Sequence, residues 1–183
     1  MFLYQPRVIV RIFLLEFKLL AFIYINILYM IVVKNLASNQ NVTATTYYDN
    51  DESAAAFVVD GLYGPKVCDS AFQEAKIFLS LPRRPYDQWL RIDFGGWKHA
   101  QFVEVHNRIT SISYMRRMSN TQFYVYGKSP TDNRQFCTEI VDGKDQIYYL
   151  PCVKTLYGKG LEMFYPYPGD RSITVCEIIV LGY

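Results

Sequence analysis

The sequence has little excess charge of either sign. Its 183 residues include 19 lysines and arginines against 17 aspartates and glutamates, which gives a formal net charge of +2. Proteins that bind nucleic acid through its phosphates carry a clear basic excess. The near balance of charge therefore excludes nucleic acid as an expected partner.

The motifs of common enzyme and metal sites are also missing. The sequence has no nucleophile elbow, no Gly-rich phosphate loop and no C-x-x-C pair, and its only histidines are His99 and His106. No pairing of a histidine with a carboxylate stands out. A glycosidase needs two facing carboxylates, and nothing in the sequence selects such a pair. These absences predict a protein without catalytic activity.

Cysteine usage favours an exported protein. The four cysteines are Cys68, Cys137, Cys152 and Cys176, and none has metal-ligand spacing. An even number of this kind predicts two disulfides, and spacing alone leaves the three connectivities open. The sequon Asn-Val-Thr makes Asn41 a predicted glycosylation site, which is usable only outside the cytoplasm.

The N-terminal segment 1–33 is predicted to be a hydrophobic leader. Leu19–Val33 contains no charged side chain, and Arg7, Arg11 and Lys18 precede it. A basic flank before an apolar run is typical of a secretory signal, although this run is short for a membrane span. A retained signal-anchor and a cleaved signal peptide both remain open, and a wrongly joined N-terminus is the third alternative. In the first two cases, residues 34–183 lie outside the cell.

Short segments rich in Val, Ile, Thr, Tyr and Phe recur along residues 34–183, separated by Gly, Pro and Asp turn signals. The alternation in FVEVHNR places Val103 and Val105 on one strand face. Arg91 and Asp93 share a face of the preceding segment and predict an ion pair. Only residues 69–81 have a helical pattern. The pattern predicts an all-β sandwich or barrel with strands at 41–48, 89–94, 100–107, 121–127, 135–141, 146–152, 161–167 and 173–183.

Three arginines flank one predicted loop. Arg108 follows the strand that ends at His106, and Arg116 and Arg117 open the next predicted strand. Loops at one end of a sandwich usually display binding groups. Adjacent strand residues point to opposite faces, so we expect only one of these two later arginines to share a site with Arg108. Arg108 itself either contacts a ligand or ties the loop through backbone carbonyls.

The order of several motifs resembles the F-type lectin, or fucolectin, domain. The likeness extends from Asn35 to Gly182 and rests on NLASNQNVTATT, AAAFVVDG, QWLRIDFG, VEVHNR, RRMSNTQFYVYG and VCEIIVLGY. It implies a galactose-binding-domain-like jelly-roll β-sandwich, related to discoidin and coagulation factor C-type domains. It also implies the disulfides Cys68–Cys176 and Cys137–Cys152.

The resemblance implies a sugar site that has changed. Family members bind fucose through a histidine, an Arg-x-Asp pair and a later basic residue. Arg108 matches the first arginine, and Arg117, rather than Arg116, matches the later basic residue. Ser70 stands at the histidine position and Thr110 at the aspartate position. We expect the arginines to lose their orienting partners, and the site to favour an acidic or sulfated glycan over plain fucose.

The family also holds calcium beneath its binding loops. Carboxylate and carbonyl oxygens suit Ca²⁺ and do not suit a transition metal. Val67 has no side-chain oxygen where relatives have a hydroxyl, which weakens the expected site. The implied ligands are the carboxylates of Asp60 and Glu177 and the carbonyls of Phe57, Leu62, Val67 and Cys176.

These expectations together predict an extracellular, calcium-stabilised carbohydrate-recognition module for cell-surface or microbial glycans. Oligomerisation remains open, and membrane contact is expected only through the leader. Two alternatives stay beside this prediction. One is a discoidin-like binder of anionic lipid that inserts Phe72 or the run 77–81. The other is a structural or adhesion domain whose lectin site has decayed.

Overall fold

A computed structural model of the chain describes residues 33–46, 51–71, 76–80, 87–129, 131–166 and 172–183. The domain forms one compact unit, Lys34–Tyr183. The predicted leader lies outside the described residues except for Val33. Among the helices that the structure describes, none has the length and apolar character needed to cross a bilayer.

Strands make up about half of the described residues, and the helices are short. Two 3-10 helices span Glu52–Val59 and Arg116–Met118, and two single α-turns span Pro65–Cys68 and Ile112–Met115. The strands are β1 (Lys34–Asn35), β2 (Val42–Ala44), β3 (Phe78–Leu79), β4 (Gln88–His106), β5 (Thr121–Tyr126), β6 (Gln135–Ile140), β7 (Ile147–Tyr165), β8 (Thr174–Val175) and β9 (Glu177–Gly182).

The long strands β4 and β7 organise the sandwich. The main sheet has the order β1-β9-β4-β7-β5-β6, with β2 also paired to β4, and β3 pairs with β8 in a small second sheet. The early half of β4 lies between β2 and β7, whereas its late half lies between β9 and β7. A register shift between Asp93 and Lys98 separates the halves. Each long strand therefore contributes to both layers of the sandwich.

The bend in β4 lies at Gly95-Gly96. Gly95 has a φ of 70°, a left-handed conformation that glycine adopts at low cost. Its N–H donates to Asp93 Oδ1 at 2.8 Å. The predicted strands 89–94 and 100–107 are therefore parts of one bulged strand, and 146–152 and 161–167 are likewise parts of β7.

The core fills the space between the layers with alternate strand residues. Val103 and Val105 are fully buried, so the predicted alternation and the all-β class are confirmed. The helical pattern at 69–81 is wrong within its described residues: 69–71 and 76–77 form no helix, and Phe78–Leu79 is β3. Other core residues are Leu90, Ile92, Leu161, Met163, Ile178 and Val180.

Two longer-range predictions have different outcomes. Both implied disulfides are present, Cys68–Cys176 and Cys137–Cys152. The predicted ion pair between Arg91 and Asp93 is wrong. Arg91 instead pairs with Glu162, directly opposite it on β7.

Candidate functional site

The arginine cluster lies where β4 ends. Immediately after β4, Asn107 is fully buried. Its Nδ2 donates to the carbonyls of Met115 at 3.0 Å and Asp145 at 3.2 Å. This side chain ties two loops to the end of the strand, and it thereby fixes the backbone position of Arg108.

Two hydroxyl groups hold the Arg108 side chain. Its Nε donates to Thr110 Oγ1 at 3.1 Å, and its Nη2 donates to Ser70 Oγ at 2.6 Å. The two hydroxyl oxygens lie 2.9 Å apart. The expected loss of orienting partners is therefore corrected, because serine and threonine orient the guanidinium. These partners are side chains rather than the backbone carbonyls expected of a purely structural arginine.

Arg117 joins the cluster through Tyr114. The Cζ atoms of Arg108 and Arg117 lie 3.9 and 4.5 Å from the Tyr114 ring centroid, within cation–π range. The expectation that Arg116 and Arg117 open a strand is wrong, since they lie in a 3-10 helix before β5. Successive helical side chains diverge, which leaves Arg116 exposed and Arg117 half-buried. The structure thus connects all four predicted ligand residues: Ser70 and Thr110 hold Arg108, and Arg108 and Arg117 share the Tyr114 ring.

The cluster is electrostatically positive. Burial lowers the pKa of Arg108 from its ordinary value; Tyr114 opposes that change, Arg117 adds to it, and Asp69 opposes it. Arginine remains protonated in proteins, so both guanidinium groups stay charged. Two like charges beside one ring favour an anionic or strongly hydrogen-bonding ligand.

A cavity of about 150 Å³ is lined by Asn107 and Ile109, the two residues that flank Arg108 in the chain. Its wall includes Cys68, His106, Ile109 and Ile147. The N–H of Ile109 donates to the carbonyl of Cys68 at 3.1 Å, so the segments that carry Arg108 and Ser70 form adjoining parts of the wall. The cavity and the arginine cluster therefore share backbone segments, although neither arginine lines the cavity.

A histidine–carboxylate pair, which the sequence analysis did not find, lies at the same end. His106 Nε2 is 2.7 Å from Glu104 Oε1, and the Tyr63 ring covers the imidazole with centroids 4.2 Å apart. The alternation of β4 was the available signal, because residues two apart share a strand face. Cys68, in the same cavity wall, is committed to a disulfide and is not a free nucleophile.

The two acids predicted to bind calcium meet near the loop 60–62. Glu177 is fully buried, and its Oε1 accepts a hydrogen bond from Gly61 N at 3.2 Å. Asp60 Oδ1 accepts from Leu62 N at 2.8 Å, and Asp60 Oδ2 pairs with Lys76 Nζ at 3.2 Å. The fold therefore brings residues from opposite ends of the domain to one place.

The Glu177 carboxylate is short of partners. Burial raises its pKa to about 8; the hydrogen bond from Gly61 opposes that rise, and Asp60 adds to it. No described residue donates a hydrogen bond to Oε2. A buried carboxylate in this condition needs a proton or a cation. The described residues include no cluster of three or more His, Cys, Asp or Glu side chains, so a metal here would depend on backbone oxygens.

Lys76, which sequence reasoning missed, lies among the predicted metal ligands. Its ammonium contacts Asp60 and lies 5.6 Å from the Phe57 ring centroid, and its backbone N–H donates to the Val67 carbonyl at 2.9 Å. Nothing in the spacing of Lys76 indicated this position. Among the other predicted carbonyl ligands, Leu62 is an exposed residue and Cys176 is a buried one.

Two further predicted sites lie apart from the arginine cluster. The run proposed to insert into lipid is no loop tip, because Phe78 is fully buried on β3 and its neighbours Ile77 and Leu79 are half-buried. Phe72 lies outside the described residues. Asn41 is exposed just before β2, and its glycosylation remains a prediction.

No family model matches the sequence, and no curated protein matches it. Solved structures do share its architecture. The fucose-binding module SpX-3 of Streptococcus pneumoniae superposes with a TM-score of 0.65 at 18% identity, over 82% of this chain and 98% of that one. The fucolectin of striped bass (Morone saxatilis) serum gives 0.64 at 19%, over 81% and 47%. A family 32 carbohydrate-binding module of Clostridium perfringens, in complex with galactose, gives 0.61 at 9%, over 82% and 99%.

Identities this low show the fold and nothing finer. At that level, the predicted resemblance to F-type lectins and their discoidin-like relatives is confirmed. The chain has the galactose-binding-domain-like jelly-roll fold that fucose-binding modules and fucolectins share.

Proposed function

We propose that residues 34–183 form an extracellular carbohydrate-recognition module that grips a glycan at Arg108. The observation that carries this proposal is the guanidinium held by the hydroxyls of Ser70 and Thr110 over the Tyr114 ring. A side chain already fixed in place loses little rotamer freedom when a ligand binds. Modules of the same fold bind fucose and galactose, which supports this class of ligand.

The ligand is held through two kinds of contact. Two N–H groups of Arg108 are engaged by hydroxyls, and the others have no partner among the described residues, so they are available to sugar oxygens. The cavity wall at Ile109 and Ile147 offers apolar surface to a methyl or acetyl group. In this arrangement the sugar is bound without any covalent step.

The cluster favours an acidic or sulfated glycan over plain fucose. Ser70 and Thr110 are neutral at the positions where the resemblance implies an imidazole and a carboxylate, so no acid from those positions offsets Arg108 and Arg117. A sulfate or carboxylate receives short, charge-assisted hydrogen bonds from guanidinium, which are roughly twice as strong as neutral ones.

We also infer that the module binds Ca²⁺ beneath the loops. The partnerless Oε2 of Glu177 supports this assignment, since a hard cation satisfies a buried carboxylate. The ion would offset the repulsion between the two acids and release Lys76 from Asp60. The residues that would hold it are Asp60 and Glu177, with carbonyls of Phe57, Leu62, Val67 and Cys176.

A glycan array tests the recognition proposal. We expect sulfated or uronic-acid glycans to bind in preference to fucose, and Arg108→Ala to weaken binding about 10- to 100-fold, the effect of losing charged hydrogen bonds. Arg116→Ala is the matched control: it removes an exposed arginine from the same segment, so binding should not change.

Four outcomes would contradict parts of this proposal. Selective fucose binding that Arg108→Ala abolishes would keep the site but overturn the acidic preference. Equal binding by Arg108→Ala and the parent protein would show that the glycan binds somewhere other than at Arg108. A folded domain that binds no glycan would favour the structural or adhesion alternative, and sedimentation with anionic liposomes would favour the discoidin-like one.

A further inference from the structure

One layer of the sandwich has an apolar surface on the side away from the core. Val103 and Val105 are buried in the core, so the alternate residues in the late half of β4 point outwards. The strand register places outward-facing residues of β7 and β9 beside them. We call this surface the outer face; its residues are Phe102, Glu104 and His106 of β4, Ile147, Tyr149 and Pro151 of β7, and Ile179 and Leu181 of β9.

A row of four aromatic rings extends the outer face towards the middle of β4. Ala100 is fully buried, so the neighbouring His99 points outwards. His99 stacks on Tyr183, directly after β9, with ring centroids 4.8 Å apart, and it contacts Tyr157 of β7 at 4.7 Å. Trp97 stacks on the same Tyr157 at 5.0 Å. The row therefore crosses the layer from the end of β9 over β4 to β7, and its four rings belong to the outer face.

The outer face is large enough for a protein interface. Trp97, Tyr149, Tyr157 and Tyr183 are 41%, 62%, 48% and 41% exposed, and Ile147 is 40% exposed. At about 150–250 Å² for each aromatic side chain, these four aromatic residues expose roughly 400 Å². The other apolar residues of the face bring the total to roughly 600–700 Å², beyond the largest apolar patch of a typical monomer, about 300–600 Å². A standard interface buries about 600–1,000 Å² on each partner, so the face is at the lower end of that range.

The residues of the outer face carry little charge. None of them is lysine or arginine, and the acid among them, Glu104, has its Oε1 2.7 Å from Nε2 of His106. Anionic lipid headgroups require basic side chains, which this set of residues lacks. A sugar requires several hydrogen-bonding groups, and Glu104 and His106 are already bonded to each other. Few charges together with tyrosine, tryptophan and phenylalanine are the composition found at the centre of protein–protein interfaces.

We propose that two copies of this chain pair through the outer face, with the two faces packed on each other across a two-fold axis. A face without a pattern of charges has nothing to select a partner of opposite charge, whereas homodimer interfaces are the more apolar class. Two-fold dimers are the commonest oligomers, and β-sheets pack face to face with their strands about 30° apart. Because the area is at the lower end of the standard range, the dimer is expected to have a Kd of about 1 μM or weaker.

The paired face is separate from the arginine cluster. The four residues of the proposed glycan site, Ser70, Arg108, Thr110 and Arg117, belong to none of the strands β4, β7 and β9. The dimer therefore does not depend on the proposed function. If that function holds, the dimer carries two glycan sites, and two linked sites bind a surface that displays many glycans more tightly than one site does.

Two substitutions on the outer face and one elsewhere test this proposal. Tyr149→Lys and Tyr157→Lys each place a charge on the outer face, towards opposite ends of it. Val141→Lys is the matched control, because Val141 is 68% exposed in the turn after β6, a strand outside the outer face. Sedimentation equilibrium of the full chain over a dilution series measures the Kd of the dimer. We expect each tyrosine substitution to raise that Kd by about 30-fold or more, the effect of losing an interface tyrosine, and Val141→Lys to leave it unchanged. Circular dichroism of each variant checks the fold.

Every other outcome overturns the proposal. A parent chain that stays monomeric at about 100 μM, far above a micromolar Kd, does not pair through this face. A dimer that neither tyrosine substitution weakens is held elsewhere, and one that Val141→Lys weakens equally responds to added charge in general. If the monomer binds neutral phosphatidylcholine vesicles or an oligosaccharide and Tyr149→Lys abolishes that binding, the face serves lipid or glycan instead. Glycan binding that requires Arg108 is measured separately on the array, so the two proposals fail independently.

Discussion

Two buried glutamates in the same sandwich have opposite surroundings. Glu162 is 1% exposed on β7, and Arg91 reaches its Oε1 at 2.9 and 2.8 Å through two nitrogens. Arg134 Nη1 lies 2.9 Å from Oε2, close enough for an ion pair although not aligned as a hydrogen bond. Glu177, fully buried, has one backbone N–H and a nearby second acid.

The difference shows where the fold supplies its own cation. The guanidiniums of Arg91 and Arg134 lie 3.7 Å from the ring centroids of Trp89 and Tyr124, so aromatic rings position the cations that neutralise Glu162. Within the described part of the chain no arginine pairs with Glu177, and the ammonium of Lys76 pairs with Asp60 instead. The first carboxylate is a finished structural element, whereas the second needs a proton or an ion from solution.

The largest loss of stability is expected when Glu162, the acid that two arginines neutralise, is removed. Glu162→Ala leaves two arginines facing each other without their acid, and loss of one partner of a buried pair costs about 3–5 kcal/mol. Urea unfolding measures this change. Glu139→Ala, which removes an exposed acid from β6, should stay within about 0.5 kcal/mol. Equal effects of the two variants would show that the arginine–glutamate network adds nothing to stability.

The incomplete site should make stability depend on pH. A raised pKa means that folded Glu177 binds its proton more tightly than unfolded Glu177 does. Its stabilising contribution is full below the unfolded value of 4.5 and is lost as pH rises to about 8. With chelator present, we expect stability to fall by about 3 kcal/mol between pH 5 and pH 8.

Glu177→Gln is the control for this pH dependence. The amide has nearly the same shape and does not titrate, so the fall in stability between pH 5 and pH 8 should disappear. If the glutamine variant loses as much stability as the parent over that range, another group causes the dependence.

Calcium should complete the second site. An ion that binds only the folded state stabilises it by about 2.7 kcal/mol at a concentration one hundred times its Kd. We therefore expect a higher melting temperature in calcium than in chelator at pH 8. Asp60→Asn should abolish the difference. If the parent melts at the same temperature in both, the metal assignment is wrong and the acids only stabilise the turn.

The smallest loss of stability is expected from a change in the geometry of the arginines around Glu162. Arg134→Lys keeps a positive charge near Glu162 but loses the planar stacking on Tyr124 and Phe164. A loss of about 1 kcal/mol is expected in thermal unfolding. Arg134→Ala should lose more, because the charge goes too. If lysine and alanine are equally destabilising, shape rather than charge sets the contribution of Arg134.

Local patterns predicted the strands better than their continuity. The alternation of Val103 and Val105 gave a strand face correctly, because burial on one side of a sheet repeats every second residue. A Gly-Gly pair is compatible with a turn between two strands and with a β-bulge inside one strand. The sequence therefore did not show that β4 continues through Gly95-Gly96. The disulfide pairing came from the family resemblance.

The sequence predicted which residues form the candidate site but not how their side chains are arranged. The four polar residues assigned to the site do lie together. They were assigned by matching positions of this sequence to the F-type lectin pattern, which carries information about the fold. Arg117 reaches Tyr114 from a 3-10 helix, which depends on loop packing around Asn107. Arg91 faces Glu162 across 71 positions of sequence, a pairing set by strand register, which no local pattern contains.

The Cys68–Cys176 bridge has a mechanical consequence. It closes a loop with a sequence separation of 108 that contains Arg108, while Lys34 lies outside it. A pull between Lys34 and Tyr183 would first peel the two-residue β1 from β9. Unravelling would then stop at Cys68 on one side and Cys176 on the other, after roughly 140 Å of extended chain, because the bridge joins these two residues directly. We expect single-molecule stretching between Lys34 and Tyr183 to show that limit and to leave the segment with Arg108 folded, and reduction of the bridge to remove the limit.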